Sequence, residues 1–321
     1  MLDRQFINTF LTTYDAAEVS KIKKDLTIVE KVTFDQATHS DKPVYLATAG
    51  APGAGKSTTL EAYLQQNNLE HFVYVDPDQV SLKNMNFTYL NSLTNYNYAL
   101  ASSNLDALYK AYKKWRAASN YISHELMQAA FTPDEHAMRY SLAHGTTSTS
   151  PFLEPMYEKI KAAGYRIVLL MCYCNDDTRL KLNVSRETEQ AFVKTTPEEV
   201  ISKGVDFPKR FDLYFKYADE ILFYWNNELA HQKLPSPCAK YQKTVEGVQL
   251  TILNDAEWKL FYCKYLQDVE EKRIELCKAF SSLLPKRLRG EVSVSLATYS
   301  FLRPSAGASS LETVALQTPK P

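Results

Sequence analysis

Eight consecutive residues carry the most distinctive chemistry of the chain: Gly50-Ala51-Pro52-Gly53-Ala54-Gly55-Lys56-Ser57. The order fits G-x-x-x-x-G-K-[ST]. Glycines let a backbone curl until several N–H groups face one point. Those donors, with the positive end of a following helix, suit the β- and γ-phosphates of a nucleoside triphosphate. Lys56 reaches the same phosphates as a point charge, and the Ser57 hydroxyl suits Mg²⁺. Gly50, Ala51, Pro52, Gly53, Ala54, Gly55, Lys56, Ser57 and Thr58 are the expected binding residues, with ATP and Mg²⁺ as ligands and Ser57 on the metal. The loop alone does not separate hydrolysis of ATP from transfer of its phosphate.

Transfer to an acceptor needs a group that orients or deprotonates that acceptor, cations on the moving phosphoryl, and exclusion of water. Asp76-Pro77-Asp78 directly follows an apolar run, Phe72 to Val75. If that run is a strand, these carboxylates stand at the sheet edge where α/β proteins bind ligands, and one of them can serve as base. A plain Asx-type turn is the other reading. Arg186 and Lys194 lie on a helix and loop after the strongest apolar run. They suit a cationic lid over the γ-phosphate, or else a solvated face paired with Glu187 and Glu189.

The elements that must position these groups follow from periodicity. Residues 1–40 read as a polar helical lead-in, with Phe6, Phe10, Leu11, Val19, Ile22 and Leu26 at helical spacing. Val44 to Ala49 reads as a buried parallel strand, Ser57 to Gln66 as a helix, and Phe72 to Val75 as a second strand. Helical periodicity runs from Leu105 to Ala130. A weaker strand follows over Ala137 to Ala143, then a helix from Phe152 to Ala163 ending at Gly164. Tyr165 to Tyr173 is the strongest strand; helices follow over Thr178 to Ala191 and from Pro197 and Pro208, and Ile221 to Trp225 is a last strand. This alternation predicts an α/β fold: a parallel sheet flanked by helices, of the P-loop NTPase kind. Leu234-Pro235-Ser236-Pro237 reads as a boundary. The expected division is a helical segment at 1–40, a nucleotide-binding domain at 41–234, a mostly helical extension at 235–302 and a disordered tail at 303–321. Within the extension, Val248 to Leu253 reads as a strand and Ala256 to Leu284 as one long amphipathic helix.

Composition limits the partners. The 321 residues hold 37 Lys plus Arg against 37 Asp plus Glu. No global field draws the protein to nucleic acid or an anionic membrane. No apolar run approaches the length that spans a bilayer, and Met1 to Phe10 lacks a basic leader followed by an apolar core, so no signal peptide is expected. Cys172, Cys174, Cys238, Cys263 and Cys277 match no zinc or redox spacing and read as buried thiols. The cytoplasm is the expected compartment, delivery into another cell staying open. His144 reads as a hydrogen-bonded core histidine or a substrate contact. Arg116 reads as an anion ligand or a surface residue. The Tyr-rich stretch Tyr89 to Tyr112 reads as packing, and Lys286-Arg287-Leu288-Arg289 as a solvated helix end.

From Pro43 to Asn226 the chain resembles the zeta-toxin-type P-loop kinases. The matching stretches are Ala49 to Ser57, Val75-Asp76-Pro77-Asp78, Gly145-Thr146, Asn183-Val184-Ser185-Arg186-Glu187-Thr188 and Lys194-Thr195-Thr196-Pro197. The resemblance implies that Asp78 is the catalytic base, that Arg186 and Lys194 are the phosphoryl-binding cations, and that Lys56 acts with them. It also implies ATP-dependent transfer to a hydroxyl of UDP-N-acetylglucosamine or a related UDP-sugar, and an inhibitory antitoxin-like protein as partner. The departures are local. Lys194 keeps the charge of the family arginine but not its bidentate fork. His144 replaces an acidic residue, Gln79-Val80-Ser81 stands in place of a basic residue and His-Pro, and Ser119, Asn120 and Glu125 compete for the place of a helix glutamate. Two other functions stay open: an ATP-driven switch or ATPase acting on a protein partner, and a binding protein that has lost transfer.

Overall fold

Asp caps open the first two helices in the computed structural model, which describes residues 3–95, 105–189, 197–227, 234–272 and 274–283. Asp3 caps α1 (Arg4–Thr9) through Gln5 N, and Asp15 forms a capping box with Glu18 at the start of α2 (Ala16–Phe34). A short pairing, β1 (His39–Ser40), leads into β2 (Val44–Ala49). The phosphate loop and α3 (Lys56–Gln66) follow, then β3 (Val73–Val75). A single π-helical turn, Pro77–Ser81, begins at the carboxylate pair. After α4 (Asn91–Asn95) comes the long α5 (Leu105–Phe131).

The weak strand expected over residues 137–143 is two pieces. β4 (Arg139–Tyr140) pairs antiparallel with β1, and β5 (Leu142–His144) enters the main sheet. Next come α6 (Leu153–Ala162), β6 (Arg166–Tyr173), α7 (Asp176–Glu189) and α8 (Pro197–Gly204). A 3-10 turn at Pro208–Arg210 leads into α9 (Phe211–Tyr217), followed by β7 (Glu220–Trp225).

The main sheet has seven strands in the order β3-β5-β2-β6-β7-β8-β9, where β8 is Ala239–Thr244 and β9 is Gly247–Ile252. The first five are mutually parallel, and β8 and β9 add as an antiparallel hairpin beyond β7. Seven of the eight residues of β6 are buried, consistent with helices on both faces. Residues beyond the Pro-rich stretch at 235–237 thus continue the sheet that carries the phosphate loop.

The long helix expected from residue 256 is α10 (Asp255–Lys272), followed by a separate α11 (Lys278–Ser282). Cys277 caps α11 through Phe280 N, and its own N–H donates to Tyr265 Oη at 2.7 Å. The break turns Phe280 into an aromatic cluster. Phe211 stacks on Tyr265 at 4.5 Å, and Phe280 lies 4.8 Å from the Tyr265 ring. All five cysteines are buried, and burial pushes the Cys172 thiol up to about 11 and the Cys174 thiol to about 12. The Lys286 to Arg289 run, residues 96–104 of the Tyr-rich stretch and the tail at 303–321 lie outside the described residues.

Candidate active site

Parallel strands bring their C-terminal ends to one edge, and the candidate residues gather there. The phosphate loop joins β2 to α3. Its curl is fixed from three sides. Gly50 N donates to Thr147 O at 3.2 Å, Asn226 Nδ2 donates to Ala54 O at 2.9 Å, and Cys174 Sγ contacts Gly53 O at 3.9 Å. Gly53 has φ of 80°, and a Cβ there would stand 2.5 Å from the Arg179 carbonyl oxygen. Only glycine allows both the left-handed turn and that approach. Lys56 Nζ donates to Ala51 O at 2.8 Å across the loop. Ser57 and Thr58 are half-buried in the first turn of α3.

Asp76 and Asp78 divide their labour. Asp76 is buried, and its Oδ1 accepts from Asp78 N at 2.8 Å and Gln79 N at 2.9 Å. It is the Asx cap of the turn. A Cβ at Gly145 would fall 2.1 Å from Asp76 Oδ2, so the Gly145-Thr146 pair makes room for this carboxylate. Asp78 instead points at α5. Its Oδ1 lies 3.2 Å from Arg116 Nε and 3.4 Å from the Tyr112 hydroxyl.

Arg116 also donates to the Tyr112 hydroxyl at 3.0 Å, to Ser119 Oγ at 3.1 Å and to Asn120 Oδ1. Burial works against its charge, but Asp78 and then Tyr112 outweigh it, and the guanidinium is held more firmly protonated than usual. Burial raises the Tyr112 phenol to about 12 although Arg116 pulls the other way. Of the residues competing for the helix position, Ser119 and Asn120 join this cluster, whereas Glu125 pairs with Arg4 at 2.5 Å.

His144 belongs to the core. Tyr45 Oη lies 2.7 Å from its Nδ1, and burial, helped by His124, lowers its pKa to about 3. Thr146 is locked to Thr48: Thr48 Oγ1 donates to Thr146 O at 2.6 Å and accepts from Thr146 N at 3.0 Å. Arg186 lies on α7, whose first turn meets the loop at Gly53. Lys194 falls outside the described residues. Asn226 and Arg116 were not assignable from sequence. Asn226 has a positional signal, directly after β7 at the ligand-binding edge. Arg116 lacks one, because its partner is 38 positions away.

The donor set suits a hard cation with few protein ligands. A hydroxyl from Ser57 and carboxylates at the same sheet edge are oxygen donors, as Mg²⁺ prefers, with phosphate oxygens and water completing its shell. Among the described residues no group of three or more His, Cys, Asp or Glu forms a dedicated metal cage.

The profile of the family described as Zeta toxin matches residues 29–206, more than half of the chain. The chain belongs to the zeta toxin family. Its fold is similar to that of a crystal structure of AvrRxo1-ORF1 with AvrRxo1-ORF2 and ATP. The TM-score is 0.53 at 12% identity, over 93% of this chain and 91% of that one. A structure from the PezAT chromosomal toxin–antitoxin system of Streptococcus pneumoniae aligns with a TM-score of 0.49 at 15% identity, over 81% and 96%. Among curated proteins none matches the sequence. This zeta toxin relative is a mostly parallel sheet flanked by helices with a kinase-like phosphate loop, as the alternation of elements predicts.

Proposed function

We propose that this protein is an ATP-dependent small-molecule kinase that transfers the γ-phosphoryl group to a hydroxyl. The carrying observation is the position of Asp78. Its backbone is set by the Asp76 cap and its carboxylate by Arg116, on the sheet edge that also bears the phosphate loop. Asp78 takes the proton of the acceptor hydroxyl. The freed oxygen bonds to the γ-phosphorus, the bond from that phosphorus to the β–γ bridging oxygen breaks, and ADP leaves. The loop amides and Lys56 hold the phosphates, and Arg186 and Lys194 neutralise the moving group, electrostatic stabilisation being the main contribution. Mg²⁺, held by Ser57, would neutralise phosphate charge.

The family resemblance makes a UDP-amino-sugar the first acceptor to test. The departure at residues 79–81 directly follows the proposed base Asp78, so the search extends to other hydroxyl compounds. The family resemblance also makes an inhibitory antitoxin-like protein the proposed partner, and the cytoplasm is the proposed compartment. No helix among the described residues is long and apolar enough to cross a membrane.

The test incubates the protein with γ-labelled ATP, Mg²⁺ and either UDP-N-acetylglucosamine or a cell metabolite extract. Label is expected in a small molecule. Label found only in inorganic phosphate would instead support the ATPase alternative. Asp78→Asn is expected to reduce transfer by roughly 10³-fold while ATP-analogue affinity stays within about twofold. Full turnover by that variant would remove Asp78 from the mechanism.

A further inference from the structure

A second charged cluster lies against the phosphate loop, built from elements far apart in sequence. Arg179 on α7 is 3% exposed. Its Nε and Nη2 donate to Asp176 Oδ1 at 3.1 and 2.7 Å, and its Nη1 donates to Val200 O of α8 at 3.0 Å. Lys264 on α10, 5% exposed, reaches Asp176 Oδ2 at 3.3 Å and Asp268 Oδ1 at 2.7 Å. The Tyr173 hydroxyl at the end of β6 donates to Asp268 Oδ2. A narrow cleft lined by Ala51, Cys174, Arg179, Gly204, Lys264 and Asp268 joins this cluster to the loop.

Two cations and two carboxylates thus form a chain from α10 to the first turn of α7. Stability is a weak reason for such a cluster, because well-packed apolar residues often serve as well or better in its place. What the cluster fixes is position. The carbonyl oxygen of Arg179 faces Gly53 so closely that no Cβ fits between them, and Gly204 of α8 packs on its guanidinium in the same way. A shift of Arg179 would move the seat on which the phosphate loop rests. The same first turn begins the helix that carries Arg186, and the same guanidinium holds α8 on the far side of the 190–196 connection.

We propose that Lys264 and Asp268 are positioning residues which, through Asp176 and Arg179, hold the phosphate loop and α7 in register for the triphosphate. The inference rests on the loop's being an ATP site, and it gives α10 a part in the nucleotide site.

The test uses the full chain carrying Lys264→Met with Asp268→Asn. This pair removes one charge of each sign and leaves an acceptor for Tyr173. A melting temperature within a few degrees of the native protein is expected, because the remaining Arg179–Asp176 pair stays neutral. Affinity for a fluorescent ATP analogue with Mg²⁺ is expected to fall about tenfold, which is about 1.4 kcal/mol. A folded double variant that binds the analogue within twofold of the native protein overturns the inference. If the double variant does not fold, hydrogen exchange on the native protein decides. Analogue binding must slow exchange at residues 262–269 by more than it slows exchange in α6, which takes no part in the cluster, since coupling between sites is reciprocal. Unchanged exchange there overturns the inference. A native protein that binds no ATP analogue overturns the underlying ATP reading, and this control separates the two failures.

Discussion

Arg116 governs the setting of Asp78. The guanidinium lies 3.2 Å from the carboxylate and is itself braced by Tyr112, Ser119 and Asn120. Arg116→Met removes the cation 3.2 Å from the proposed base while leaving the loop untouched. Transfer is expected to fall about tenfold, or about 1.4 kcal/mol of barrier, with ATP-analogue affinity unchanged in a binding titration. His144 makes a different prediction, because it is neutral and buried. Its ordinary pKa of 6.5 is lowered to about 3, first by burial and then by His124. Below pH 6.5 the unfolded chain takes up a proton that the folded chain refuses until about pH 3. The stability held at this residue is therefore complete above pH 6.5 and is lost as pH falls towards 3. At pH 5 the loss is about 2 kcal/mol. His144→Gln, followed by denaturant unfolding at pH 7 and pH 5, is expected to lose less stability between the two than the native protein.

At the scale of elements, the phosphate loop was legible because its chemistry is contiguous. Eight residues, with an apolar strand before and a helix after, define it locally. β6 was equally plain, since a strand buried on both faces must be apolar throughout. The hairpin beyond β7 was only half legible. Val248 to Ile252 carries a strand pattern, but β8 alternates Ala239 and Tyr241 inward with Lys240 and Gln242 outward, a short signal amid polar residues. The break between α10 and α11 was hidden because both pieces are apolar at helical spacing, and tertiary contact of Phe280 decides between one helix and two. Arg116 with Asp78, and Lys264 with Asp176, were out of reach for another reason. Each pair closes over many intervening residues, and no local pattern encodes it. The loop itself yields a prediction. Gly53→Ala requires a left-handed backbone, at about 1–2 kcal/mol, and sets a Cβ against the Arg179 carbonyl. ATP-analogue affinity is expected to fall at least about tenfold, checked by titration against a native control.

For the whole molecule, the balance of charge matters. Equal numbers of acidic and basic residues leave no overall field, so phosphate recognition rests on the local donors of one sheet edge. Binding there must stabilise the entire fold. At an ATP-analogue concentration about 100 times its dissociation constant, with Mg²⁺, the expected gain is about 2.7 kcal/mol. For a domain of this size that raises the melting temperature by roughly 5 °C, and Lys56→Met should abolish the shift in a thermal scan. The five sulfhydryls also bear on how the protein can be watched at work. All are enclosed, with burial disfavouring their ionised form, so maleimide reagents should leave the native molecule untouched. One cysteine introduced on an exposed surface then becomes a unique handle for a fluorophore, and a dye placed near the 190–196 connection would report in real time whether that stretch moves when nucleotide arrives.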